Sequence, residues 1–544
     1  MRALALAAIS AAALGTGAPP ATLPPQASND WSYTTLDLDV RIDPAAASIM
    51  VEGRARLRVE SPQADRLTLG LNSRARAMRF SAVAAAEPGA TTEVVSDSIR
   101  ERAIIRFAEA RPRGTETDIT FSYRLHVPSS QLLITDRVAL ASWVEVWYPI
   151  PVPTGGAPRR GAPGTTAFDL PREWSAVSNG KRESSSIVAG RHIETWVTPV
   201  AVNRSFAAAP YTVARSGEHE RDVAVYLIRA DTASARKQAA VLARAITAME
   251  AHFGPYPYPS YAIAEIPDSV VRWTASSEQG FIMVTAASFG ADGNLPLFAH
   301  EAAHGWWGNL VNSAGAGARL MTESLAQYGA VLAIEAIEGK DAAADFLRFS
   351  RQGYHPLQSA RGYFWMWRDG GDVPMARLAD GRWDHNLSDA KGHWVYHMLR
   401  ERVGDEVFFG VLRGFVRDFA GRPLTVDSAR ARFIAAAPRD TTLATFLHEW
   451  LDRTGAPVIS YEWHATHRRA DSVAVTIRQH GDLYHVPLEL EIQLRSGPPI
   501  RHRVLLGDSL LRFTLPALSP VAVLLDPDHK LLFWRPEYGP NPLR

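Results

Sequence analysis

The chain contains no cysteine, which excludes disulfides, thiolate metal ligands, a thiol nucleophile and a lipid-modified cysteine behind an export leader. Any metal must then sit on His, Asp or Glu. Charge of one sign is also lacking: 58 Lys and Arg stand against 57 Asp and Glu. No global field therefore steers the protein to nucleic acid or an anionic bilayer. Arginine far outnumbers lysine but is scattered, so it marks no basic patch. Beyond the N-terminal leader there is no apolar run of the ~20 residues that an integral membrane segment needs, no internal repeat and no extended low-complexity tract. What remains is an ordinary globular composition, 46% hydrophobic and 21% charged over 544 residues. That length predicts about three or four domains.

The start reads Met1-Arg2, an apolar Ala-rich run from Ala3 to Ala18, then a Pro-rich stretch from Pro19 to Pro25. This is the order of a cleaved export signal, so residues 1–28 are read as signal and linker and the protein is expected in the periplasm or secreted. The alternative, a buried N-terminal helix, would be stranded outside a core by Ala18, Pro19, Pro20 and the polar linker after them. From Leu36 the apolar residues alternate: Leu36, Leu38, Val40 and Ile42, then Ala55, Leu57 and Val59, then Leu67, Leu69 and Leu71. Period two between turn residues predicts half-buried antiparallel strands. The texture continues to about Ser216, interrupted by the Pro/Gly-rich loop from Pro151 to Gly164, so residues 29–216 form a β-sandwich or saddle in which function is not expected mainly to live. Helical spacing follows, beginning at Ala239, Leu242, Ala245, Ile246 and Met249, and residues 217–454 are read as a mainly helical domain. Alternation returns at Val473, Val475 and Ile477 and at Leu488, Leu490, Ile492 and Leu494, making residues 455–544 a small β-sandwich. The fold class is multidomain α+β.

Residues 300–304 read His-Glu-Ala-Ala-His within an apolar helical pattern. Two imidazoles four apart lie one above the other on a helix face, where both can reach one ion. His300 and His304 therefore supply half of a tetrahedral site. Glu301 points at a different angle, free to reach a metal-bound water rather than the metal, as a general base must. A third ligand is required, and Glu323 follows His304 after eighteen residues, at the start of a second apolar-periodic helix. A loop near Gly308 to Gly317 and a returning antiparallel helix would carry its carboxylate back to the histidines. Two helix histidines and a first-turn glutamate set by the helix dipole are each ordinary; the joint spacing of all four residues is not.

These residues resemble the gluzincin aminopeptidases of the aminopeptidase N and leukotriene hydrolase type. His300 to Asn309, HEAAHGWWGN, looks like that family's H-E-x-x-H-x-W-F-G-N, and Glu323 matches its third zinc ligand. Phe253 to Pro259 resembles the segment entering the catalytic domain, and Lys391-Gly392 through Met398-Leu399, with Val403-Gly404 and Phe408, the helix lining the far wall. The resemblance implies a thermolysin-like catalytic domain, one Zn2+ per chain and a peptide substrate. It also implies that Glu278, twenty-two residues before His300 in Ala-Ser-Ser-Glu-Gln-Gly, occupies the place of the glutamate that binds a substrate's free amino terminus.

Two departures stand beside it. Where the family carries a tyrosine that hydrogen-bonds the oxyanion, two residues before Lys391-Gly392, this chain has Asp389. An ionised carboxylate there is repulsive, and loss of one such donor typically costs about a hundred- to a thousandfold in rate; protonation of Asp389, or His385, His393 or Tyr396 reaching in, would be needed instead. No counterpart of the large C-terminal helical domain that closes the site in many relatives is found, which implies a more open cleft. The resemblance thus implies an exported zinc aminopeptidase. A zinc-bearing, catalytically weak peptide-binding protein and an endopeptidase remain the alternatives. The oligomeric state, the physiological peptide and the preferred side chain at the cleaved residue have no spacing rule.

Overall fold

The computed structural model describes residues 30–72, 79–96, 100–125, 132–152, 161–216, 221–228, 231–271, 273–290, 293–351, 355–379, 381–466 and 471–543. The leader read as an export signal lies outside them. Among the described residues, no helix is long and apolar enough to cross a membrane.

The N-terminal region is built of strands. A seven-stranded sheet runs Lys181–Val188, Arg191–Val202, Ala162–Pro171, Trp31–Asp43, Ser48–Val59, Glu116–Leu125 and Arg79–Ala85. Its period-two pattern is explicit: Leu36, Leu38, Val40 and Ile42 are all buried and face the core, with the half-buried Asp37 and the exposed Asp39 and Arg41 between them. All pairings are antiparallel except that of Trp31–Asp43 with Ala162–Pro171. Those two parallel strands are tied by the buried Arg204, which donates to the carbonyls of Leu36 (2.9 Å) and Ala162 (2.8 Å). Burial lowers its pKa to about 10. Two four-stranded sheets complete the region.

A five-stranded sheet follows, ordered Thr212–Arg215, Val223–Leu227, Tyr261–Ile266, Phe281–Thr285 and Ala275–Glu278, with the last strand antiparallel at the edge. The boundary drawn at 216 falls inside this sheet, because Thr212–Arg215 pairs with Val223–Leu227. Its central strands are apolar except for Glu265 and Thr285, because both faces are covered. Val223, Val225, Ile263, Ile282 and Val284 pack with Ala239, Leu242, Ile246 and Met249 of the helix Thr232–Phe253. Tyr226, Ala262, Ala264, Phe281 and Met283 join the N-terminal β core.

Helices then dominate to Leu451. Leu295–Ala303 and Glu323–Glu338 approach closely because small residues meet between them: a Cβ added at Gly329 would lie 2.6 Å from the Cβ of Ala303. Gly329→Val should therefore force these helices apart and destabilise the fold by about 1–3 kcal/mol, read as a lower urea midpoint at unchanged slope. Two three-stranded sheets close the described chain, Val458–Thr466 with Ser472–His480 and Leu510–Pro516, and Ile500–Leu506 with Val486–Leu494 and Pro520–Leu525. Their inward Val473, Val475, Leu488 and Leu490 are continuous with the core of the helical region.

Candidate metal centre

The helix Leu295–Ala303 starts where the Asn294 side chain accepts from the Leu297 N–H (3.4 Å), with Pro296 in the first turn. His300 falls in its last turn and His304 caps its end. Four residues apart, the rings share one face and their Nε2 atoms lie 3.2 Å apart. Each ring is held from behind: His300 Nδ1 donates to Gln327 Oε1 (2.9 Å) and His304 Nδ1 to the Trp307 carbonyl (3.0 Å). With Nδ1 as the donor, both Nε2 lone pairs face the same point, as in histidines that ligate metals.

Glu323 opens the helix Glu323–Glu338 and brings Oε2 to 3.8 Å from His300 Nε2 and 3.6 Å from His304 Nε2. One ligand atom from each of the three residues lies within 4.8 Å of the others, so the set could hold a metal ion. Two imidazoles and a carboxylate suit zinc, with a fourth position left for water or substrate. Gln327, one turn after Glu323 on the same helix, completes the support, and its signal in the sequence is that four-residue spacing alone. Gln327→Ala should weaken zinc binding by about 10- to 100-fold, measured by competition with a chromogenic chelator.

The protonation states of the metal-free site are set by burial and proximity. Burial and the neighbouring His304 lower His300 to about 3. Burial opposes protonation of His304 too, but Glu323 overrides it and lifts His304 to about 9. Glu323 is held low in turn: His304 beside it outweighs a burial effect that would raise it. The proton of this pair thus rests on His304, facing an ionised Glu323, and a bound dication would displace it. Glu301 is pushed up to about 7, chiefly by burial, and lines a cavity of about 900 Å³. A carboxyl poised near neutrality is suited to general base work.

Glu278 does not line that cavity. The residue is wholly buried and its carboxylate accepts from Ser205 Oγ (2.6 Å) and Ser276 Oγ (3.1 Å). Burial raises it to about 7, against the hydrogen bonds from Ser205, Ser142 and Ser276. A raised carboxyl stabilises the fold below its unfolded pKa, and that contribution is lost as pH climbs from 4.5 through 7. Wild type should therefore lose up to about 3 kcal/mol relative to Glu278→Gln between pH 5 and pH 8, measured by urea denaturation at the two pH values.

Asp389 lies in a π-helical turn, Ser388–Gly392, of the kind found at functional sites. Close contact of Gly392 with Ser324 presses this turn on the Glu323 helix, and Ser324 Oγ donates to the Ser388 carbonyl (2.6 Å). Asp389 is fully buried and also absent from the cavity wall, behind Gln358, whose Nε2 donates to its Oδ2 (2.5 Å). It therefore does not stand at the cavity surface where the tyrosine's role would place it. Of the three substitutes, His393 is buried with Nδ1 on the Asp389 carbonyl, and Tyr396 donates to the Leu320 carbonyl (2.9 Å). Only His385 lines the cavity, its Nδ1 3.7 Å from Glu323 Oε2.

Part of the remaining wall comes from stretches of the chain without a sequence signal: Trp143, Trp273, His355 and Gln358. Trp143 belongs to the N-terminal β region, in which, from the sequence, function is not expected mainly to live, and adds that region to the cavity wall. Its backbone N–H donates to Ser205 Oγ (3.0 Å), the hydroxyl that also holds Glu278.

Residues 238–450 match the family model described as "Peptidase family M1 domain". No curated protein matches the chain. Among solved structures, the M1 zinc metallopeptidase of Deinococcus radiodurans is similar at 17% identity and a TM-score of 0.62, covering 79% of this chain and 96% of that one. A mutant of that protein bound to a Tyr-Ser-Ala substrate gives 16% identity and a TM-score of 0.61, over 79% and 96% of the two chains. A two-domain M1 zinc metallopeptidase mutant bound to L-tryptophan gives 17% and 0.61, over 80% and 97%. At such identities the likeness carries the fold alone, and the family model speaks for residues 238–450. Residues 238–450 thus carry a peptidase family M1 domain, and the chain shares its fold with these M1 zinc metallopeptidases.

Proposed function

We propose that this chain is a zinc-dependent aminopeptidase in which His300, His304 and Glu323 hold one Zn2+ and Glu301 is the general base. The observation that carries the reading is the convergence of two Nε2 lone pairs and one carboxylate oxygen beside Glu301, on the wall of a cavity of about 900 Å³. A zinc ion, when bound, lowers the pKa of water toward about 7 and polarises a carbonyl. Glu301 takes the proton of the attacking water and passes it to the leaving amine. Ser277 Oγ donates to the Glu301 carbonyl (2.9 Å), tying the edge strand of the sheet to the His300 helix. Trp143 and Trp273 offer apolar surface to a peptide side chain.

Selectivity for a free amino terminus is assigned to Glu278, close enough to Glu301 for its charge to raise that residue's pKa. An ammonium at Glu278 would set the first peptide bond over the metal. Ser276, which lines the cavity and donates to Glu278, would have to turn aside. That obstruction favours a second reading, an endopeptidase that ignores the amino terminus. Aminoacyl anilides and N-acetylated peptides of the same sequence separate the two. The aminopeptidase reading expects the free forms to be cleaved at least about tenfold faster, in line with a charge-assisted contact of about 1.5–3 kcal/mol; equal rates contradict it. Hydrolysis of neither, with zinc bound, would support the weakly catalytic peptide-binding protein. The order of residues in the leader supports export, and amino-terminal sequencing of the protein recovered outside the cytoplasm tests it.

A further inference from the structure

Three carboxylates lie at or behind the wall of this cavity: Glu301 and Glu323 on it and Asp389 behind it. If all are ionised they carry three negative charges, and one zinc ion neutralises two. Asp389 is the least provided for. It is fully buried, its Oδ2 accepts from the neutral amide of Gln358, and its Oδ1 has no hydrogen-bond partner among the described residues.

His385 stands between Asp389 and Glu323. Its Nε2 lies 3.5 Å from Asp389 Oδ2 and its Nδ1 3.7 Å from Glu323 Oε2. Both separations are long for hydrogen bonds. Each, from its own ring nitrogen, falls within the 3.2 to 3.8 Å found among the first three ligands and near the about 3.3–3.6 Å between neighbouring donors when bonds of about 2.0–2.2 Å radiate tetrahedrally from an ion. One ligand atom each from Glu323, His385 and Asp389 falls within 4.8 Å of the other two. The His385 ring is 53% exposed and lines the cavity, so an arriving ion can reach that member of the set first. A small rotation of that ring would turn one nitrogen to both carboxylates.

We propose that Glu323, His385 and Asp389 form a second divalent-cation site beside the first, with Glu323 shared by both. One nitrogen and two oxygen donors suit zinc, manganese or cobalt, and paired ions bridged in this way typically sit about 3.5–4 Å apart. Through Glu323 the proposal rests on the zinc reading of the first site.

Chelator-treated protein is titrated with Zn2+, and separately with Mn2+, by equilibrium dialysis and elemental analysis. Wild type is expected to take up two equivalents, the second more weakly. His385→Ala and Asp389→Asn should keep the first and lose at least tenfold in affinity for the second. His385→Ala changes a partly exposed ring, so it preserves the test if the buried Asp389→Asn variant fails to fold. With Mn2+ at both positions, electron paramagnetic resonance should show a spin-coupled pair. A single equivalent up to millimolar metal, a second equivalent that persists in both variants, or uncoupled manganese would overturn the proposal. Wild type that binds no metal would instead defeat the reading of the first site.

Discussion

Glu301→Gln is expected to leave zinc binding and thermal stability close to wild type while lowering kcat by about 10²–10⁴-fold, the usual contribution of a positioned base. The amide keeps the shape and burial of the carboxyl but cannot take a proton from water. KM should stay within a few-fold, because Glu301 acts on the transition state rather than on the bound peptide. The wild-type profile of kcat/KM should also fall on the acid side as Glu301 is protonated. That limb lies below the value of about 7 that burial gives in the metal-free protein, since zinc's positive charge favours the ionised form. A full-length assay on aminoacyl anilides, with metal content measured on the same preparation, separates loss of the base from loss of the ion.

Removing a ligand should act in the opposite order, metal first and rate as a consequence. His304→Ala is expected to cost about 10²–10³-fold in zinc affinity, an even share of the about 10–16 kcal/mol seen for four-ligand sites. At ordinary protein concentrations after dialysis the variant should carry little zinc and show no turnover. Excess zinc should restore part of the activity, which Glu301→Gln cannot regain at any zinc concentration. Chelation of wild type should mimic the variant and lower its melting temperature, because zinc binds the folded state in preference to the unfolded chain.

How much of this was legible in the sequence follows from which contacts are local. His300, Glu301 and His304 sit on one helix, where spacing fixes direction, and Glu323 needs only one turn-back to reach them. The alternation of Leu36, Leu38, Val40 and Ile42 reports a face because side chains on a strand must alternate. Asp389 could be noticed as an unusual residue, but its burial behind Gln358 could not, since Gln358 arrives from another segment. Glu278 could be picked out by its distance along the chain from His300, while its orientation depends on Ser205 from the N-terminal region, 73 residues away in the chain. Trp143, Trp273 and His355 reach the cavity by tertiary packing, for which no periodicity or spacing exists.

The central claim is that His300, His304 and Glu323 surround one ion. Crystals of the zinc-loaded protein, measured on both sides of the zinc absorption edge, test it most directly. A strong anomalous peak about 2.0–2.2 Å from both Nε2 atoms and from a Glu323 oxygen is the predicted result. Density without such a peak at full zinc occupancy elsewhere, or histidines turned away from one another, would contradict it.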